Sequence, residues 1–458
     1  MTASKHWARR DFLKCAAATA VGMCNRKATL GLLAGMEAAA VEAAATDYKA
    51  LVCIFLAGGN DGFNVLIPSD STRYQTYKTS RGNLAFAPES LLNLNPTSSG
   101  QNYAVSDRAP DFQSLYNSGR LAFLANVGTL VQPTTKADYQ KGLHLPPQLY
   151  SHSDQTDQGM SNQLDALEKV GWGGRMADLL TNLNGTSQLP LGVSLAGNNL
   201  FQVGTSSVPY YMSSQGVNSF SVTSGGPTDP RTKIFNRMLG LSLTNGRLLE
   251  REFAKTVKGA NDLSLNLIAA LDNSTIGNGT WPSGNLSEQL QMVAKVISVR
   301  QALAVKRQVF YVVQGGYDTH DDQIKNHGNL ISELSQSMLA FHNAMDEFGV
   351  GTGVTSFTLS DFGRTLTSNG DGTDHAWGNI QLVAGGGVIG GEVYGEFPDL
   401  KIDGPDDSGY GRLIPTTSIE QYGATLARWF GVNETQLATI FPHLSRFGSA
   451  NLNFMALV

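Results

Sequence analysis

Short apolar runs alternate with amphipathic stretches along most of this chain. Residues 51–56, Leu-Val-Cys-Ile-Phe-Leu, are wholly apolar and stop at Gly58 and Gly59. A run of that length bounded by turn formers reads as a strand buried on both faces. Similar runs at 121–127, 189–195, 308–313, 354–359 and 380–383 predict further strands. Helices are predicted at 111–118, 172–183, 233–270, 288–307, 329–348 and 418–430. The fourth is the clearest, because Leu290, Met292, Val293, Val296, Ile297 and Val299 share a broad apolar face. This alternation predicts an α/β fold, a mainly parallel sheet with helices on both faces. Residues 68–120 otherwise read as polar and turn-rich. Residues 197–230 and 272–286 are rich in Ser, Gly, Asn and Thr, which predicts insertions or a loop-rich cap. No repeat or linker divides the chain, so residues 46–458 are expected to form one domain.

The N-terminus changes the picture. Arg9-Arg10-Asp11-Phe12-Leu13-Lys14 leads into a weakly apolar stretch from Cys15 to Met23. That is the pattern of a twin-arginine export signal. Asn25-Arg26-Lys27 interrupts the apolar region, and Ala43-Ala44-Ala45 is a candidate cleavage site. Residues 1–45 are therefore expected to engage the twin-arginine translocon and be removed, leaving a periplasmic or secreted protein. The chain carries 33 Lys or Arg and 38 Asp or Glu. Residues 1–45 hold six and three of these, so the remainder has 27 and 35, a net charge of −8. An acidic protein without basic blocks is not expected to bind nucleic acid. No other run reaches the ~20 apolar residues of a membrane span. Cys15 and Cys24 fall in the export segment. Cys53, inside the first strand, is expected to be core filler, so no intramolecular disulfide remains.

Candidate chemistry clusters at strand ends. Asp61 lies in Gly-Gly-Asn-Asp-Gly after residues 51–56, as either a plain turn residue or a carboxylate aimed into a crevice. Asp318 and His320 follow residues 308–313, two positions apart, and can both ligate a metal from a loop. The alternative makes Asp318 a helix cap and His320 solvated. Asp321 and Asp322 read as first-turn helix charges, and His327 and His342 as surface residues. Asp361 directly follows 354–359, with Arg364 three positions on as its ion-pair partner or as a clamp for an anion. His375 sits before 380–383 and must reach the same rim on a loop, or else be structural. Parallel strand ends converge on one crevice, so these residues can meet there. Ser151 and Ser153, in Ser-His-Ser-Asp, are the candidate nucleophiles or plain helix caps. Adjacent residues do not readily form the linear relay of a Ser-His-Asp triad, and there is no G-x-S-x-G elbow.

Taken in order, Gly-Gly-Asn-Asp-Gly at 58–62, Tyr-Ser-His-Ser-Asp-Gln at 150–155, Gly-Tyr-Asp-Thr-His at 316–320, Ser-Asp-Phe-Gly-Arg-Thr at 360–365 and Thr-Asp-His at 373–375 resemble an exported bacterial family. It is the domain of unknown function 1501, placed within the alkaline phosphatase and sulfatase superfamily. The resemblance spans roughly residues 48–450. It implies an alkaline-phosphatase-like fold and one or two divalent ions, such as Zn, Mg or Mn. Asp61, Asp318, His320, Asp361 and His375 match the metal ligands, and Ser151 or Ser153 loosely matches the nucleophile. It further implies hydrolysis of phosphate or related esters, with an anionic small molecule or glycan as partner. Two features depart from the superfamily pattern. Asp318 and His320 are two apart where four is common, and Phe362 stands where a His often follows the last Asp. No Cys or Ser lies in a C/S-x-P-x-R context, which argues against a formylglycine sulfatase. A one-metal enzyme, an altered chemistry and a non-catalytic binding protein of the same fold all stay open.

Overall fold

The computed structural model describes residues 47–163, 169–244 and 247–456. The expected export segment lies outside them. Strand β1 (Lys49–Ala57) is followed by β2 (Ile67–Pro68), β3 (Leu91–Asn93) and β4 (Tyr103–Ser106), which form a small antiparallel sheet. Next come β5 (Leu121–Gly128), β6 (Gly192–Ser194), β7 (Tyr210–Tyr211), β8 (Arg307–Gly315) and β9 (Val354–Ser360). Then β10 (Arg364–Ser368) and β11 (Thr373–His375) pair as a hairpin. The chain closes with β12 (Asn379–Gly385), β13 (Glu392–Tyr394) and β14 (Thr417–Ser418).

The main sheet runs β13-β5-β12-β9-β1-β8-β6-β7, with β14 also on β5. Only β12 opposes the others, being antiparallel to both β9 and β5. The α/β expectation of a mainly parallel sheet therefore holds. Helices cover both faces, and the alternation along β1 shows why. Ala50, Val52, Ile54 and Leu56 pack with the helices Asn285–Ser298 and Gln323–Glu347. Leu51, Cys53 and Phe55 pack with Trp172–Leu180 and Ile419–Phe430 on the other side. Cys53 is core filler, as its sequence context implied. Tyr48–Val458 clusters as one compact unit.

Several expectations need correction. The stretch 233–270 is two helices, Pro230–Leu243 and Leu248–Leu271. Besides the expected short helix, which spans Pro110–Asn117, residues 68–120 hold the strands β3 and β4 and the helix Ser71–Arg81. That helix buries Tyr74, Tyr77 and Arg81 rather than aliphatic side chains, so its apolar periodicity is faint; its start is set by Asp70, which accepts from Arg73 N–H. Asp321 and Asp322 precede the helix Gln323–Glu347 instead of opening it, and Asp322 takes a left-handed backbone. His327 and His342 are buried, not surface residues. His327 Nε2 meets Asn60 Oδ1 at 2.9 Å, and His342 Nε2 meets Ser356 Oγ at 2.7 Å, so each ring has a polar partner inside. Among the described residues, no helix is long and apolar enough to cross a membrane.

Candidate metal centre

Register brings the strand ends level. Ala57 pairs with Gly315 and Leu56 with Ser360, so β1, β8 and β9 end abreast. Residues leaving those ends share one rim. Close approach there needs glycine: Gly58 has φ +119°, and a Cβ on it would lie 2.3 Å from the Asp318 nitrogen.

Asp318 is the hub. Its Oδ1 lies 3.0 Å from His320 Nε2, 3.4 Å from His375 Nε2 and 3.6 Å from His152 Nε2. It also accepts from Arg364 Nη1 at 2.8 Å. His375 Nε2 stands 3.1 Å from the Nε2 atoms of both His152 and His320. Ligand atoms of His152, Asp318 and His375 all lie within 4.8 Å of one another. The imidazoles are aimed from behind. His152 Nδ1 is 2.6 Å from Asp361 Oδ2, His375 Nδ1 is 2.9 Å from the Tyr150 carbonyl, and His320 Nδ1 is 3.3 Å from Asp374 Oδ1. Tying off Nδ1 leaves Nε2 as the inward donor, the arrangement metal-binding histidines use. Two or three imidazoles and one carboxylate form a donor set suited to Zn²⁺ and related divalent ions. The residues present therefore fit one ion.

Electrostatics agree. Burial pulls the Asp318 carboxyl up, but the hydrogen bond and charge of Arg364, with His320 and His152, hold it below its ordinary value. Burial holds the His375 imidazole below its ordinary value, which favours the neutral, ligating form. The Phe362 ring lies 4.7 Å from both the His152 and His375 rings and forms an apolar wall. Phe362 offers no ligand atom there and contributes packing.

The other candidates sit as follows. Asp361 stands behind His152 and also accepts from Gly58 N–H at 3.0 Å. Asp61 is fully buried, ion-paired with Arg81, and absent from the hub. Arg364 is buried and commits its guanidinium to Asp318, the Gly58 carbonyl and the Thr373 carbonyl. Ser151 caps the helix His152–Ser161, and its Oγ donates to Asp154 Oδ2 at 2.6 Å. Ser153 Oγ is exposed, 3.3 Å from Ser151 Oγ. Sequence reasoning missed His152, because it opens a helix instead of following a strand. Arg412 was missed as well. It donates from Nε to the His375 carbonyl at 3.1 Å and stacks 4.6 Å over the Tyr150 ring.

The model of a family described as "Protein of unknown function (DUF1501)" matches residues 48–438. No curated protein matches the sequence. Among solved structures, 49 chains match. The chain is similar to Ps i-CgsB in complex with k-i-k-neocarrahexaose, at 12% identity and a TM-score of 0.34, covering 85% of this chain and 74% of that one. The PsFucS1 sulfatase from Pseudoalteromonas sp. is 11% identical, with a TM-score of 0.32 over 86% and 72%. The lipoteichoic acid synthase LtaP from Listeria monocytogenes is 8% identical, with a TM-score of 0.26 over 69% and 56%. Likenesses this loose carry no argument about chemistry.

Proposed function

We propose a function for this chain, which belongs to the DUF1501 family of proteins of unknown function: it is an exported, metal-dependent hydrolase of phosphate or related anionic esters. One observation carries this reading. His152, Asp318 and His375 converge at the ends of parallel strands with the outer nitrogen of both rings tied off. His152, Asp318 and His375 would hold a divalent ion, with His320 beside them as a fourth donor. A bound ion supplies Lewis acidity to an ester oxygen. Asp361 and the Tyr150 carbonyl orient the two rings, Arg364 fixes Asp318, and Phe362 keeps water off one side.

Ser151 is the proposed nucleophile. Tyr150 and His152 on either side of it both contact the centre, and Asp154 is placed to take its proton. Ser153, exposed and one position past His152, is the weaker candidate. The Arg412 terminal nitrogens make no hydrogen bond among the described residues, so they are free to steady an anionic group beside His375. This role replaces the anion clamp expected of Arg364. The substrate class is an anionic ester, free or on a glycan. Export by the twin-arginine route, to the periplasm or beyond, is supported by residues 8–14.

The test is direct. Purified protein is loaded separately with Zn²⁺, Mg²⁺ and Mn²⁺, desalted, analysed for metal, and assayed on an aryl phosphate and an aryl sulfate. Bound metal with turnover of either ester is expected. Protein that holds none of the three ions and turns over neither ester sinks the reading.

A further inference from the structure

We propose that Asp61 is a positioning residue, not a metal ligand, and that the centre takes one divalent ion per chain; this rests on the metal-dependent reading above. Asp61 Oδ2 accepts from the Arg81 guanidinium and, at 2.5 Å, from Gln323 Nε2. Neither side chain of the Asp61–Arg81 pair is exposed. Arg81 is anchored in turn, donating from Nη1 to the Thr365 and Leu366 carbonyls at 2.8 and 3.3 Å. The carboxylate thus already has its counter-charge. Its other oxygen, Oδ1, is buried without a hydrogen-bond partner among the described residues. Among the described residues, the ligand atoms that lie within 4.8 Å of one another come from His152, Asp318 and His375, and Asp61 is not in that set.

Asp61 instead reaches the hub through side chains. Gln323 Oε1 accepts from Thr319 Oγ1 at 3.1 Å and from Thr373 Oγ1 at 2.5 Å. Thr373 Oγ1 accepts from Arg364 Nε at 3.2 Å, and the Thr373 carbonyl accepts from Arg364 Nη2 at 2.7 Å. A hydroxyl can donate once while it accepts, and Thr373 does both here. Arg364 Nη1 then holds Asp318 Oδ1. The path Asp61, Gln323, Thr373, Arg364, Asp318 sets where the ligating carboxylate sits without placing Asp61 on the ion.

The experiment measures metal per chain after saturation with Zn²⁺ and desalting, in wild type, Asp61→Asn, Thr373→Ser and Thr373→Val. One equivalent is expected in wild type and in Asp61→Asn. Thr373→Ser, which keeps the hydroxyl, should match wild-type Zn²⁺ affinity, whereas Thr373→Val should bind about tenfold more weakly, the size of outer-sphere effects. Two equivalents in wild type, loss of an equivalent in Asp61→Asn, or equal affinity in the two Thr373 variants overturns the inference and leaves the metal-dependent reading standing. If Asp61→Asn does not fold, the wild-type count and the Thr373 pair decide alone. Wild type that holds no Zn²⁺ overturns the inference, and wild type that also holds neither Mg²⁺ nor Mn²⁺ and turns over neither ester overturns the reading with it.

Discussion

At the scale of the residue, His152 and His375 define the centre, because each presents Nε2 to Asp318 with Nδ1 held. His375→Ala and His152→Ala should each lose bound metal and ester turnover while keeping the circular dichroism of the wild type. Asp361→Asn leaves the ligands in place and weakens only the support behind His152. It should reduce metal affinity by roughly 10–100-fold, measured by competition with a chelator. Strand boundaries make Asp318, His320, Asp361 and His375 legible from the order of residues alone. His152 is hidden there because nothing local distinguishes a helix-opening His from a solvated one. Its partner, Asp361, lies 209 positions away. The surroundings of Asp61 are hidden for the same reason. A strand-end Asp after two glycines reads as a turn residue or a crevice carboxylate, and only the fold sets Arg81, 20 positions on, against it.

Elements carry these residues, and glycine lets them approach. Gly58→Ala would force a side chain into the Asp318 backbone at a positive φ. It should destabilise the fold by at least about 1 kcal/mol and release the metal, read by thermal melting and metal content. The helix Gln323–Glu347 packs His327 in the interior, where burial drives its imidazole down to about 4. The unfolded chain, with an ordinary His near ~6.5, binds the proton first as pH falls. Stability is therefore complete above that value and is lost as pH drops toward 4, by roughly 3 kcal/mol. Urea unfolding at pH 7 and pH 4 should show a loss in wild type that is smaller by roughly 3 kcal/mol in His327→Gln, where the buried His342 still contributes its own loss. The aliphatic period makes the long helices readable. The helix Ser71–Arg81 escapes because tyrosines and an ion-paired arginine form its buried side.

For the whole molecule, the proposed export segment and the sheet are tested separately. Arg9→Lys/Arg10→Lys should leave the protein in the cytoplasm, scored by fractionation; periplasmic recovery equal to wild type would end the twin-arginine assignment. The α/β architecture follows from apolar runs alternating with amphipathic ones, since burial of a strand on two faces demands a continuous apolar stretch. Strand order does not follow. β12 enters between β9 and β5 in the opposite sense, and the β10–β11 hairpin leads into it, which is what swings His375 back over the rim. The sequence by itself determined which residue types were available at which strand ends. Tertiary structure decided that Asp61 met Arg81 and Gln323, while Asp318 met Arg364 together with three imidazoles. Periodicity is local, whereas counter-charges and ligand partners are chosen across hundreds of positions by packing.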